Sequence, residues 1–115
     1  MNSKFDVLFL EDARQFLLGL DDKTRAKILY NIDKSKVLND PKLFKKLTDN
    51  IWEFRTKYNG LQYRLLAFWD KTEKTETLVV SAHGFVKKVD KVPSSEINKA
   101  DQLRQLYFDQ KKRGK

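Results

Sequence analysis

Ile51 to Lys91 reads IWEFRTKYNGLQYRLLAFWDKTEKTETLVVSAHGFVKKVDK, and the dipeptide Asn59-Gly60 in it decides how the rest is read. Asn-Gly between two alternating apolar runs is the strongest short-range signal for a two-residue hairpin turn. Such a turn pairs residues whose numbers sum to 119, so Trp52 faces Ala67, Phe54 faces Leu65, and Arg55 lies directly opposite Arg64. Like charges opposed across a sheet are destabilising unless an anion accompanies them. On this register Trp52 and Phe54 form an apolar face with Leu65 and Ala67. The other face carries Glu53, Arg55, Lys57, Gln62 and Arg64.

Outward from the hairpin, residues 75–82 read as a buried strand through Leu78, Val79 and Val80, reached by a loop over residues 70–74. The basic segment His83 to Lys91 follows it. Pro93 suits the first position of a helix whose apolar face is Ile97, Ala100, Leu103 and Tyr107, with Glu96 near its positive end. Upstream, Lys4 to Leu10 alternates as a short strand. Ala13, Phe16, Leu17 and Leu20 have the spacing of one helix face, with Asp12 as a cap. A second helix from Asp21 or Asp22 turns Ile28, Leu29 and Ile32 inward and ends before Asn39-Asp40-Pro41. The run Leu43 to Leu47 is too short for periodicity to decide between a strand and an irregular lead-in. The order is strand, two helices, three consecutive strands, helix. It predicts an α+β domain with a mainly antiparallel sheet of about four strands, a helical hairpin on one face and a C-terminal helix.

The 115 residues, 40% of them hydrophobic, suffice for one core, so a single domain over 1–115 is expected, its basic tail fraying from residue 110. No run approaches the roughly 18 apolar residues of a membrane span, and no signal-peptide pattern develops in MNSKFDVLFLED, so a cytoplasmic protein without membrane contact is expected. With zero cysteines and one histidine, disulfides, thiolate chemistry and histidine-rich metal sites are excluded, and no metal or cofactor is expected. The 24 Lys+Arg against 16 Asp+Glu give a net charge of +8. From His83 onward nine basic residues stand against four acidic ones. An anionic partner and a merely well-solvated lysine surface both fit that excess.

Carboxylate pairs, serine triads and Gly-rich phosphate loops are missing, which removes most enzyme classes. A cation cluster bordered by aromatic rings remains, and it suits a phosphate backbone with stacked bases. Cutting RNA without a metal requires three things: attack by the 2′-hydroxyl, stabilisation of the added negative charge, and a proton for the leaving 5′-oxygen. Fixed guanidinium groups at Arg55 and Arg64 suit the second. A lysine titrates at about 10.4, but crowded cations depress one another, so Lys87, Lys88 or Lys91 is a candidate proton carrier. Glu53 and His83 are the others. Each also has a structural reading: Glu53 as a counter-charge to Arg55, His83 as a hydrogen-bonded residue at a strand end. Trp52 and Tyr63 belong to the core face, Tyr58 beside the turn suits base stacking, and Phe85 borders the cluster.

Trp52 to Arg55, Tyr63 to Leu66, and His83 to Lys88 with Lys91, Pro93, Glu96, Ile97 and Ala100 resemble the phage-derived, HigB-type branch of the RelE/ParE toxin superfamily. That branch shows a W-E-[LF]-R strand, a Y-R-[VL]-L strand, and H-G-F-x-K-K-x-x-K-x-P before an E-I-x-x-A helix. The resemblance implies a RelE-like fold and the toxin of a type II toxin–antitoxin pair. Such a toxin is an mRNA endonuclease (mRNA interferase) acting in the ribosomal A site, inhibited by a helix-turn-helix, HigA-like antitoxin that alone would contact operator DNA. It also implies Arg55, Arg64, Lys87 and Lys88 as phosphate contacts, with Lys91 beside them; Lys57, Tyr58 and Phe85 are further candidate RNA contacts from their places on or beside the cationic face. Some relatives carry a lysine near the position of Glu53, so the general base stays open between Glu53, His83 and a lysine. Two other functions stay open as well: a ParE-like toxin acting on DNA gyrase, and a non-catalytic RNA-binding module.

Overall fold

The computed structural model describes residues 3–72 and 78–114. The elements are β1 (Asp6–Phe9), α1 (Glu11–Leu18), α2 (Asp22–Val37), β2 (Phe44–Lys46), β3 (Trp52–Tyr58), β4 (Leu61–Asp70), β5 (Leu78–Lys87) and α3 (Ser94–Arg113). They form an α+β domain around one sheet of order β1-β5-β4-β3-β2. The sheet has five strands instead of about four. The extra one is β2, from the undecided run Leu43 to Leu47, held against β3 by three antiparallel pairs. The sheet is also mixed, because β1 pairs parallel with β5, Asp6 opposite Leu78 and Phe9 opposite Ser81.

The hairpin has the predicted register from Trp52–Ala67 to Tyr58–Leu61, including Arg55 opposite Arg64. Asn59 and Gly60 both take positive φ, 52° and 76°. Those angles give the turn a twist that matches the strands, and few other dipeptides accept both. Because the side-chain period is two, this turn assigns every β3 and β4 residue to a face.

The two faces bury separate cores. Helices α1 and α2 cover the first, packing Ala13, Leu17, Ile28 and Ile32 against Phe5, Phe54, Tyr63, Leu65, Ala67 and Val79. Phe16 of α1 lies so near β5 that a Cβ at Gly84 would sit 2.3 Å from its ring, so only glycine admits this approach. Helix α3 covers the second face, where Ala100, Ile97, Leu103, Tyr107 and Phe108 meet Ile51, Leu66, Phe68, Val80 and Ala82.

Three boundaries differ from expectation. Asp12 lies inside α1, whose N-cap is Leu10 without a side-chain cap bond. β5 continues to Lys87, so His83 to Lys87 belong to the strand, while positions 75–77 of its expected start fall outside the described residues. Finally, the tail expected to fray is helical to Arg113, because Lys111 is tied to the sheet by Asp70 and Thr72.

Candidate nucleic-acid interface

The opposed arginines sit on the α3 face beyond the apolar contact made by that helix. The anion between them is the protein's own. Glu53, two residues before Arg55 and so on the same face, sets Oε1 3.0 Å from Arg64 Nε and Oε2 3.7 Å from Arg55 Nε. The sequence favoured Glu53 as partner of Arg55; the shorter contact goes to Arg64. Both members of that pair are buried, Arg64 at 2% exposure and Glu53 at 4%. Neither atom has a well-directed hydrogen bond, so the contact is one of charge and not of alignment. Arg64 spends its remaining donors on Gln62 Oε1 (2.7 Å) and the Tyr63 carbonyl (3.2 Å). Burial pushes its pKa down; Glu53 raises it and Arg55 lowers it further. Arg55 is half-buried and donates to the Pro41 carbonyl (3.2 Å), which braces its guanidinium at the surface.

Two concavities meet at Arg55. One, of about 300 Å³, gathers Lys45, Glu53, Arg55, Lys87, Asp90 and Lys91, with Ile97 of α3 at its wall. The other, of about 210 Å³, is lined by Lys42, Arg55, Thr56, Lys57, Gln62 and Arg64. The expected four-cation clamp is therefore divided. Arg55 serves both concavities, Lys87 lines the first, and Arg64 the second. Lys88 lines neither: it follows the end of β5 as an exposed side chain. Lys42 and Lys45 were missed in the sequence, since they belong to the short run around β2 whose pairing it does not reveal.

His83 lines neither concavity. The pairing of β4 and β5 shifts at Leu66–Ala67: Leu66 faces His83, Ala67 faces Ser81, and Ala82 is left as a bulge. The extra residue turns His83 onto the α3 face together with Ala82. There it is 2% exposed, stacks on Phe85 with ring centroids 6.0 Å apart, and approaches Glu96 at 2.9 Å. A carboxylate only accepts, so the proton is on Nε2, and buried Nδ1 has no partner among the described residues. Burial lowers the His83 pKa more than the Glu96 contact raises it. The imidazole thus joins β5 to the first turn of α3.

Tyr58 is corrected as well. It shares its face with Phe54 and packs half-buried toward α1 and α2, on the side of the sheet opposite Arg55. Phe85 is on the cationic face, opposite Arg64, but packs against the α3-side core. Neither ring is splayed out for a base.

A second buried polar group escaped the sequence reading. Asp70, 1% exposed, ends β4 and accepts from Tyr107 Oη (2.6 Å), Lys111 Nζ (2.7 Å), and Thr72 through Oγ1 (2.6 Å) and its backbone N–H (2.9 Å). Burial opposes its ionisation most strongly, but the hydrogen bonds from Lys111, Thr72 and Tyr107 together hold the carboxyl well below its ordinary range. An acidic residue closing the run Leu65 to Trp69 was the available signal, because a buried charge requires partners. Among the described residues no group of three His, Cys, Asp or Glu could hold a metal ion, and no helix is long and apolar enough to cross a membrane.

Residues 15–105 match the family model described as Phage derived protein Gp49-like (DUF891). The chain belongs to this family. The Gp49-like family is associated with RelE-type, toxin-like proteins, in keeping with the resemblance seen in the strand motifs. The match takes in both concavities and most of α3, from α1 onward. No curated protein matches the chain.

Proposed function

We propose that this Gp49-like protein is the toxin of a type II toxin–antitoxin pair of the HigB kind, a metal-independent endonuclease that cuts mRNA in the ribosome and so inhibits translation in the cytoplasm. The observation that carries this reading is the concavity that Glu53 lines together with Arg55, Lys87 and Lys91. A phosphodiester set against Arg55 and Lys87 gains charge as the adjacent 2′-oxygen bonds to phosphorus, and the two cations that line the concavity stabilise that charge. Glu53 accepts the 2′-hydroxyl proton. The P–O5′ bond breaks, a lysine ammonium of the concavity protonates the departing 5′-oxygen, and the products are a 2′,3′-cyclic phosphate and a 5′-hydroxyl. His83 and Tyr58 have no part, the first being held under α3 and the second on the opposite face.

A helix-turn-helix antitoxin is the proposed partner, and operator DNA would be reached only through it. The test is to incubate purified protein with ribosomes and a defined message and to map new 5′-ends, with and without a chelator. Cleavage that survives chelation and falls by about 100-fold in Arg55→Ala and Lys87→Ala is the expected result. Intact message, or unchanged cleavage in both variants, would overturn it. Intact message together with relaxed DNA in intoxicated cells would point to gyrase instead.

A further inference from the structure

We infer that Arg55 is a wall shared by two anion subsites, and that the ligand is a single-stranded polyanion with one phosphate in each. The chemistry is placed in the Glu53 subsite. The second subsite, held by Lys42, Lys57 and Gln62, takes a neighbouring phosphate that is not cut. This deepens the endonuclease reading and rests on it for RNA as the source of the phosphates.

Three features carry the inference. First, the concavities are separate yet both include Arg55, whose guanidinium is braced by the Pro41 carbonyl and so stands between them. Second, they differ in what they hold. The Glu53 subsite combines carboxylates with cations, as proton transfer requires, whereas the side chains lining the other are cationic or neutral and can only bind an anion. Third, the second subsite is open because β2 begins only at Phe44, which lies opposite Phe54, so its pairing with β3 goes no further toward the hairpin turn. Thr56 to Tyr58 thus form an uncovered edge of the sheet, beside which the turn before β2 presents Lys42. Lys42 and Lys57 are exposed, and neither takes part in a salt bridge among the described residues. A groove of cations following consecutive phosphates is how proteins hold single strands without reading their bases.

The test measures binding of 2′-O-methyl oligonucleotides two, three and four nucleotides long, which cannot attack their own phosphates, to the whole protein over a range of salt. Affinity is expected to rise several-fold once the oligonucleotide is long enough to occupy both subsites. Lys42→Ala and Lys57→Ala should each remove that gain without weakening the dinucleotide. The slope of log affinity against log salt should become shallower by about 0.7 for each phosphate that a variant leaves without its cation. Lys87→Ala should weaken every length. The inference is overturned if affinity is independent of length, if no length binds, or if Lys42→Ala weakens all lengths alike. Length-dependent binding without cleavage on ribosomes would leave the two-subsite groove standing and remove the nuclease reading. Cleavage with a length-independent affinity would do the reverse.

Discussion

The two faces of the sheet solve opposite problems with the same strands. On the α1/α2 face β3 and β4 present Trp52, Phe54, Tyr63, Leu65, Ala67 and Trp69, and Phe44 stacks on Phe54 at 4.4 Å and on Trp52 at 4.9 Å. On the α3 face apolar packing extends from Phe68 to Ala82 and gives way to buried Glu53, Arg64 and His83, with Asp70 at its far end. One face is stabilised by area removed from water. The other retains charges that cost desolvation and are tolerated because each has a partner. Where stability alone would favour hydrophobic residues, a charged face is the one to associate with function.

Substitutions can break this contrast. The largest effect is expected from Glu53→Leu, which strands Arg64 in the interior and should cost about 3–5 kcal/mol in chemical denaturation. Replacing both partners, Glu53→Leu with Arg64→Met, should restore most of that stability while RNA binding stays impaired. If the double variant is as unstable as the single one, the pair matters to the fold beyond mutual neutralisation. On the opposite face Phe54→Ala should cost a similar 3–5 kcal/mol through its cavity, with no second substitution among the charged residues able to rescue it. Gly84→Ala drives a methyl into Phe16 and should lower stability by about 1–3 kcal/mol, seen as a reduced melting temperature. The smallest change is expected for Arg55→Ala, under about 1 kcal/mol, since its guanidinium is partly in solvent; its consequence should appear in cleavage and not in melting.

Acid should act on the charged face first. The folded pKa of His83 lies below its ordinary 6.5, so the unfolded chain binds this proton more readily and stability falls as the pH drops below that value. Asp70 is also held below its ordinary 3.8, so its contribution is present at neutral pH and is lost in stronger acid. His83→Gln should therefore flatten the dependence of melting temperature on pH between about 7 and 5 while leaving the loss in stronger acid. A wild-type profile without a step in the upper window would contradict the buried, neutral imidazole.

How far these faces could be read from the chain depends on the range of the determining interaction. The hairpin and its register were legible because Asn59-Gly60 acts locally and a period of two carries its effect along both strands. The helices were legible from their apolar spacing. The aim of His83 was not, because one unpaired residue at Ala82 reverses the alternation, and nothing in SAHGF marks it. The choice of Arg64 over Arg55 by Glu53 was also hidden, since both arginines share its face and only packing decides which is buried. The union of Asp70 with Lys111 spans most of the second half of the chain, beyond any local pattern.

The parallel pairing of β1 with β5 has a consequence in time. Asp6 must wait for Leu78, so the sheet cannot close while the intervening helices and hairpin are still being made. The local β3–β4 hairpin is expected to form early and the edge strand β1 to join late, as loop-closure entropy dictates for distant contacts. Because β5 also carries Lys87 into the Glu53 concavity, that concavity is complete only with the strand that receives β1. The Glu53 concavity is therefore assembled at one late step of folding, together with the parallel edge of the sheet.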